Sequence, residues 1–239
     1  MKMRQVVLFL LPIAGLTVVP TQAKAQSLDS AASSSTATLS ASTAHPKPAL
    51  TYIPPTQKTR LRNYFFDAVG PYPIVGAAVA AGINQAESTP PEWRQGAGAY
   101  GKRFASNFAI AGISTTTRYA LAEAFREDTL YYRCECKGLF PRLGHAVIST
   151  FTSRRGADGH RVFSFPALVS PYAGTMTAVY AWYPGRYNAM DGLRMGNYSL
   201  LGYVGGNIAL EFLYSGPHSW RSRLHLNNGH GAQGPDSKP

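Results

Sequence analysis

Charge and cysteine are scarce in this 239-residue chain, and the familiar catalytic signatures are missing. Charged side chains make up 15% of the residues and cysteines number two, Cys134 and Cys136 in RCECKG. That pair is too small for a disulfide framework. With no second Cys pair and the nearest histidine, His145, nine residues on, it cannot complete a zinc set either. A Cys-x-Cys ring is tight, so a bond between the two is expected to be labile and the thiols read as incidental. Searches for G-x-S-x-G, S-x-x-K, H-E-x-x-H and Gly-rich phosphate loops find nothing. GAGAYG at 96–101 has its glycines, Gly96, Gly98 and Gly101, at dinucleotide-loop spacing, but no strand precedes it, and they read as packing residues. No cofactor and no metal are expected.

Acidic residues are the scarcer sign of charge, 12 against 23 Lys and Arg, for a net charge of +11. The first residues carry Lys2 and Arg4, then the apolar run VVLFLLPIAGLTVV, then Ala23-Lys24-Ala25, which has small residues at the positions a signal peptidase reads. Residues 1–25 are therefore expected to be a secretory signal, and the remaining chain stays basic at +8. Export makes nucleic acid an improbable partner. A membrane or an anionic envelope polymer suits the charge, as does plain solubilisation of a Gly- and Ala-rich surface.

Residues 26–59 are rich in Ser, Thr, Ala and Pro, with too little apolar surface to offset chain entropy, and are expected to form a disordered tether. Residues 215–239 lack periodicity and read as a disordered tail, whose irregularly spaced His218, His225 and His230 do not suggest a built metal site. Residues 60–214 remain as one domain. Helical spacing predicts a helix in GISTTTRYALAEAFRED, beginning near Pro91 and bending around Gly96, Gly98 or Gly101, and another in PRLGHAVISTF. Val162–Gly185 runs twenty-four residues without charge, but Ser170 before Pro171 predicts a cap and a helix over about Pro171–Trp182 only, too short for a conventional membrane span.

Small residues recur at four-residue spacing: Gly76 with Ala80, Ala77 with Ala81, Ala78 with Gly82, then Gly101-Ala105-Ala109, Ser170-Gly174-Ala178, Gly202 with Gly206 and Gly205 with Ala209. Such rungs let helices approach closely or meet a protein partner. The expected fold is all-α, a compact bundle of about five Gly/Ala-rich helices with disordered flanks, membrane-associated because aromatic clusters such as AVYAWYPGRY suit an interface. The alternative is an outer-membrane-type β-barrel, suggested by the signal, the Tyr and Gly content and the alternation in RMGNYSLLGYVGGNIALEFLY.

Ionisable residues stand among apolar neighbours at Asp67, Arg103, Arg118, Glu123, Arg142, His145 and Glu211. Buried charges must be paired, and Arg118 and Glu211 have the most core-like flanks. Arg103, Arg118 and Arg142 are the candidate binding residues, for a headgroup or glycan. The leading function is a non-enzymatic envelope protein with a structural or binding role, in the periplasm or outer membrane. The alternative is a hydrolase of lipid or glycan using His145 with Glu123 or Glu211.

The segments GAAVAAGINQAESTPPEWRQGAGAYGKRFAS, RYALAEAFREDTLYYR, LFPRLGHAVISTF, AWYP and GLRMGNYSLLGYVGGNIALEF, taken in order, resemble a family of signal-bearing bacterial envelope proteins with no assigned activity. The likeness covers about residues 60–213. It implies export and a mainly helical fold, and no chemistry. The chain departs from that pattern at Thr129 after the acidic pair, at Cys134-Glu135-Cys136 and at LYSGP after Glu211-Phe212.

Overall fold

A computed structural model describes residues 52–134, 136–213, 230 and 232–233. The expected signal, most of the tether, and the tail apart from His230 and residues 232–233 lie outside them. The chain enters helix α1 (Gln57–Val69) at Thr56, whose hydroxyl accepts from the Thr59 amide at 3.3 Å. Packing thus begins before residue 60, inside the segment expected to be a tether. At Gly70 the amide donates back to the Phe66 carbonyl, a closeness any Cβ there would prevent. Pro71 then opens α2 (Pro71–Ala86) at the position where a missing amide costs least.

A cis Thr89–Pro90 bond and a 3-10 turn at Pro91–Trp93 lead to α3 (Ala97–Phe125). The sequence predicts one helix from Pro91, but positive φ at Arg94 and Gly96 separates the turn from α3. The helix therefore starts at Ala97, and Gly96 caps it rather than bending it. Arg126 in the left-handed region closes α3. There follow β1 (Glu127–Asp128), β2 (Tyr132–Arg133), α4 (Leu139–Phe151), β3 (Thr152–Arg155), β4 (His160–Phe163), α5 (Phe165–Ala181), α6 (Ala189–Leu213) and β5 (Ala232–Gln233).

Helix α5 corrects another expectation. Its cap is Ser164, which accepts from the Ala167 amide at 3.2 Å, and Pro166 occupies the first turn. Ser170 and Pro171 lie inside the helix and are buried in the bundle, where α5 packs on α3 and α6. Tertiary enclosure outweighs the cost of an internal proline, about 3 kcal/mol, so α5 runs 17 residues, or about 25 Å.

The architecture is an all-α bundle: 71% of the described residues are helical. Extended structure is confined, among the described residues, to β1-β3-β4, antiparallel, and a parallel β2-β5 pair, each strand two to four residues long. The period-2 alternation in α6 does not make a barrel, because its residues close helical bonds along 25 positions. Helices α1 and α2 together run antiparallel to α3: Arg60 meets Glu123, Tyr64 meets Thr116, and the Tyr100 hydroxyl donates to the Ala78 carbonyl. Helix α5 packs on α3 and α6, and α4 lies against the last turns of α6, where Asn207 donates to Thr150 at 2.9 Å.

The interior is built of small and polar groups. Buried apolar side chains are mostly alanines (Ala77, Ala81, Ala122, Ala146, Ala178), accompanied by Ser106, Ser114, Ser170 and Thr175. Large apolar side chains point outward, with Val75, Val79, Ile83, Tyr198 and Leu201 all more than half exposed. This inverts the usual partition of a water-soluble core.

Two of the predicted small-residue ladders make intimate contact. Ala77 and Ala81 are buried, and a Cβ on Gly174 would collide with Ser114 and lie 2.5 Å from the Ile110 carbonyl oxygen on α3. Gly76, Gly82, Gly101, Gly202, Gly205 and Gly206 instead have nothing within 4 Å of an added Cβ.

Charged residues collect at the two ends of the bundle. Along α3 none intervenes between Arg103 and Arg118, a rise of about 22 Å; along α6 none intervenes between Arg194 and Glu211, about 25 Å. Helix α5 has no charge at all.

Candidate functional site

One end of the bundle gathers the groups capable of chemistry. Helix α4 begins at Gly138, whose φ of 95° suits glycine, and its 3.6-residue period sets Arg142, His145 and Ser149 on one side, facing the end of α6. There Glu211 is fully buried, 0% exposed. Its carboxylate accepts from Arg142 Nε at 3.0 Å, the Tyr131 hydroxyl at 2.7 Å and the Cys134 amide at 3.1 Å. Arg142 also bonds the Glu211 carbonyl and lies 4.5 Å over the Phe212 ring. Those donors replace the water that a carboxylate so enclosed has lost. Burial and the bond to Glu211 push the Tyr131 hydroxyl well above the usual tyrosine range, so it serves as a donor throughout the physiological range.

His145 stands beside this group. Its Nδ1 is 3.4 Å from the Tyr131 hydroxyl and 3.7 Å from Glu211 Oε2; its Nε2 is 3.3 Å from the Ser149 hydroxyl and 2.8 Å from Arg161 on β4. Ser149 and Arg161 line a shallow open depression, about 20 Å³ in volume, with Leu130, Tyr131, Tyr132 and Thr152.

Two more carboxylates hold the short strands. Glu127 accepts from Ser153 and Ser164, both at 2.6 Å, and from Arg155 at 2.8 Å. Asp128 accepts from Tyr132 at 2.6 Å and from Tyr52 at 3.1 Å. Burial first, and then the Asp128 charge, raise both of those tyrosines above the ordinary value. A third cluster includes one residue of the expected tail. His230 is buried, accepts from the Tyr131 amide and reaches Asp67 at 3.1 Å, while Tyr119 donates to the same carboxylate at 2.6 Å. His218 and His225 lie outside the described residues. Among the described residues no three metal-ligating side chains converge. Cys134 and Cys136, expected as incidental thiols, are joined as a disulfide.

The residues singled out from the sequence thus separate. Arg142, His145 and Glu211 come together. Glu123 is elsewhere, exposed and paired with Arg60 at 2.8 Å. Arg118 bonds the Thr129 carbonyl and lies over Tyr203, so it is not the partner of Glu211. Arg103 sits fully buried at the opposite end, its guanidinium spent on the carbonyls of Thr89, Pro90 and Arg94 and on Gln85 Oε1, which fastens the turn before α3. Ser149 and Tyr131 escaped notice in the sequence. Ser149 had a signal, its four-residue spacing from His145 on a predicted helix; Tyr131 had only its place after the acidic pair. No family model, no curated protein and no solved structure is found to match the chain.

Proposed function

We propose that this protein is a membrane-embedded helical bundle of the cell envelope with a binding or structural role at its polar end. The carrying observation is the inverted partition: small and polar groups inside, large apolar side chains outside, across a band about 22 to 25 Å deep that lacks charge. Exposing Val79, Ile83 and Leu201 to water is unfavourable at roughly 25 cal/mol per Å², whereas acyl chains accept them without cost. The α1–α2 stretch Gln57–Ala86, interrupted at Gly70, is by length and composition apolar enough to cross a membrane, and 17% of its most apolar window is buried, far less than in a soluble core helix. The band is somewhat thinner than the ~30 Å hydrocarbon layer, a mismatch that snorkelling Arg and Lys side chains accommodate.

Residues 118–161 hold eight Lys and Arg against five Asp and Glu, which favours an anionic headgroup or acidic envelope polymer at that end. The predicted signal and the resemblance to envelope proteins support export to this location. Washing cell membranes with alkaline carbonate tests the reading. Retention in the pellet and release by detergent are expected; recovery in the carbonate wash would remove the embedded arrangement.

A further inference from the structure

From the α4 cluster we infer that Ser149, His145 and Glu211 form a hydrolytic centre for carboxylic esters of lipids; the lipid part of this inference rests on the embedded reading. The protonation pattern follows from the bonds themselves. The Tyr131 hydroxyl spends its hydrogen on Glu211 at 2.7 Å, so towards His145 it can only accept, and the imidazole proton belongs on Nδ1. Arg161, which can only donate, faces Nε2 at 2.8 Å and requires a lone pair there. Both neighbours therefore select the tautomer whose Nε2 is a base, and that nitrogen is 3.3 Å from Ser149 Oγ. Buried Glu211, held by Arg142 and the Cys134 amide, supplies the negative charge that stabilises an imidazolium.

Ser149 and Arg161 share the pocket wall, and Ile148, next to Ser149 on the same helix, is an exposed apolar residue. An ester at the membrane surface can thus place its acyl chain along α4 and its carbonyl beside Ser149. The serine oxygen attacks the carbonyl carbon as His145 Nε2 takes the hydroxyl proton. For this Arg161 must first give up Nε2, whose single lone pair it occupies at 2.8 Å, and donate instead to the ester carbonyl oxygen, where it then meets the developing oxyanion. Collapse of the adduct expels the alcohol, which receives the proton from His145 and leaves an acyl ester on Ser149. Water, deprotonated by the same nitrogen, then releases the carboxylic acid and restores the serine.

The test uses the full chain in detergent micelles, a fluorophosphonate probe, and p-nitrophenyl esters of rising chain length. A single label on Ser149 is expected, lost in Ser149→Ala and reduced at least tenfold in His145→Gln, with circular dichroism unchanged in both. The labelling rate should rise with pH through one ionisation, and Glu211→Gln should move that inflection to lower pH, because imidazolium loses its counter-charge. Turnover should increase with acyl length. No label on a folded wild-type chain, or a label that survives Ser149→Ala, overturns the centre. Turnover confined to acetyl esters overturns the lipid substrate, and carbonate release of the protein speaks only against embedding.

Discussion

Glu211 shows how one side chain can organise an end of a bundle. It joins α6 to α4 through Arg142 and to the strand region through Tyr131 and the Cys134 amide. Removing one partner of a buried ion pair leaves the other uncompensated, so Glu211→Ala is expected to destabilise the protein by about 3–5 kcal/mol, measured as a lowered Tm in detergent. Glycines divide by what surrounds them. Gly174→Ala places a methyl against the Ile110 carbonyl and should cost about 1–3 kcal/mol, whereas Gly202→Ala meets nothing within 4 Å and should leave Tm unchanged or raised. Comparing the two melts tests whether the α3–α5 approach is as close as described.

At the scale of elements, the short strands act as fasteners between helices. Ser164 ends the hairpin, caps α5 through the Ala167 amide and donates to Glu127, so one hydroxyl links α5 to the strand that follows α3. Ser164→Ala is expected to cost about 0.5–2 kcal/mol from the cap, with faster hydrogen exchange in the first turn of α5 and in β1 as the distinguishing readout. Arg103 does the corresponding work at the other end, where its donors satisfy the carbonyls of Thr89 and Arg94 and share that of Pro90 with the Trp93 amide.

For the whole molecule, the decisive feature is the direction in which large apolar residues point. Leu201 is 64% exposed in the middle of the charge-free part of α6. In a bilayer a charge there is costly, about 2.5–3.5 kcal/mol at the helix centre on insertion scales, so Leu201→Arg should reduce the carbonate-resistant fraction. In water the same change would be harmless and would improve solubility. Unaltered retention of the variant would show that this face does not meet lipid.

The helical class and the Ala- and Gly-rich contacts were legible in the residues, because period and composition are local properties; Arg142, His145 and Glu211 stood out there only as ionisable residues among apolar neighbours. Boundaries fared less well: Pro171 looked like a helix start because propensity penalises internal proline, yet burial inside the bundle carried α5 through it from Phe165. Which glycines touch a neighbour, which carboxylate serves His145, and the place of Ser149, Tyr131 and His230 depend on contacts between segments up to 163 positions apart. Spacing along one chain carries no information about such pairs. The sequence by itself determined that there would be helices with charge-free middles and small-residue rungs; only the tertiary structure decided that the large side chains face out and the polar ones in, since that choice is made by how neighbouring helices rotate against one another.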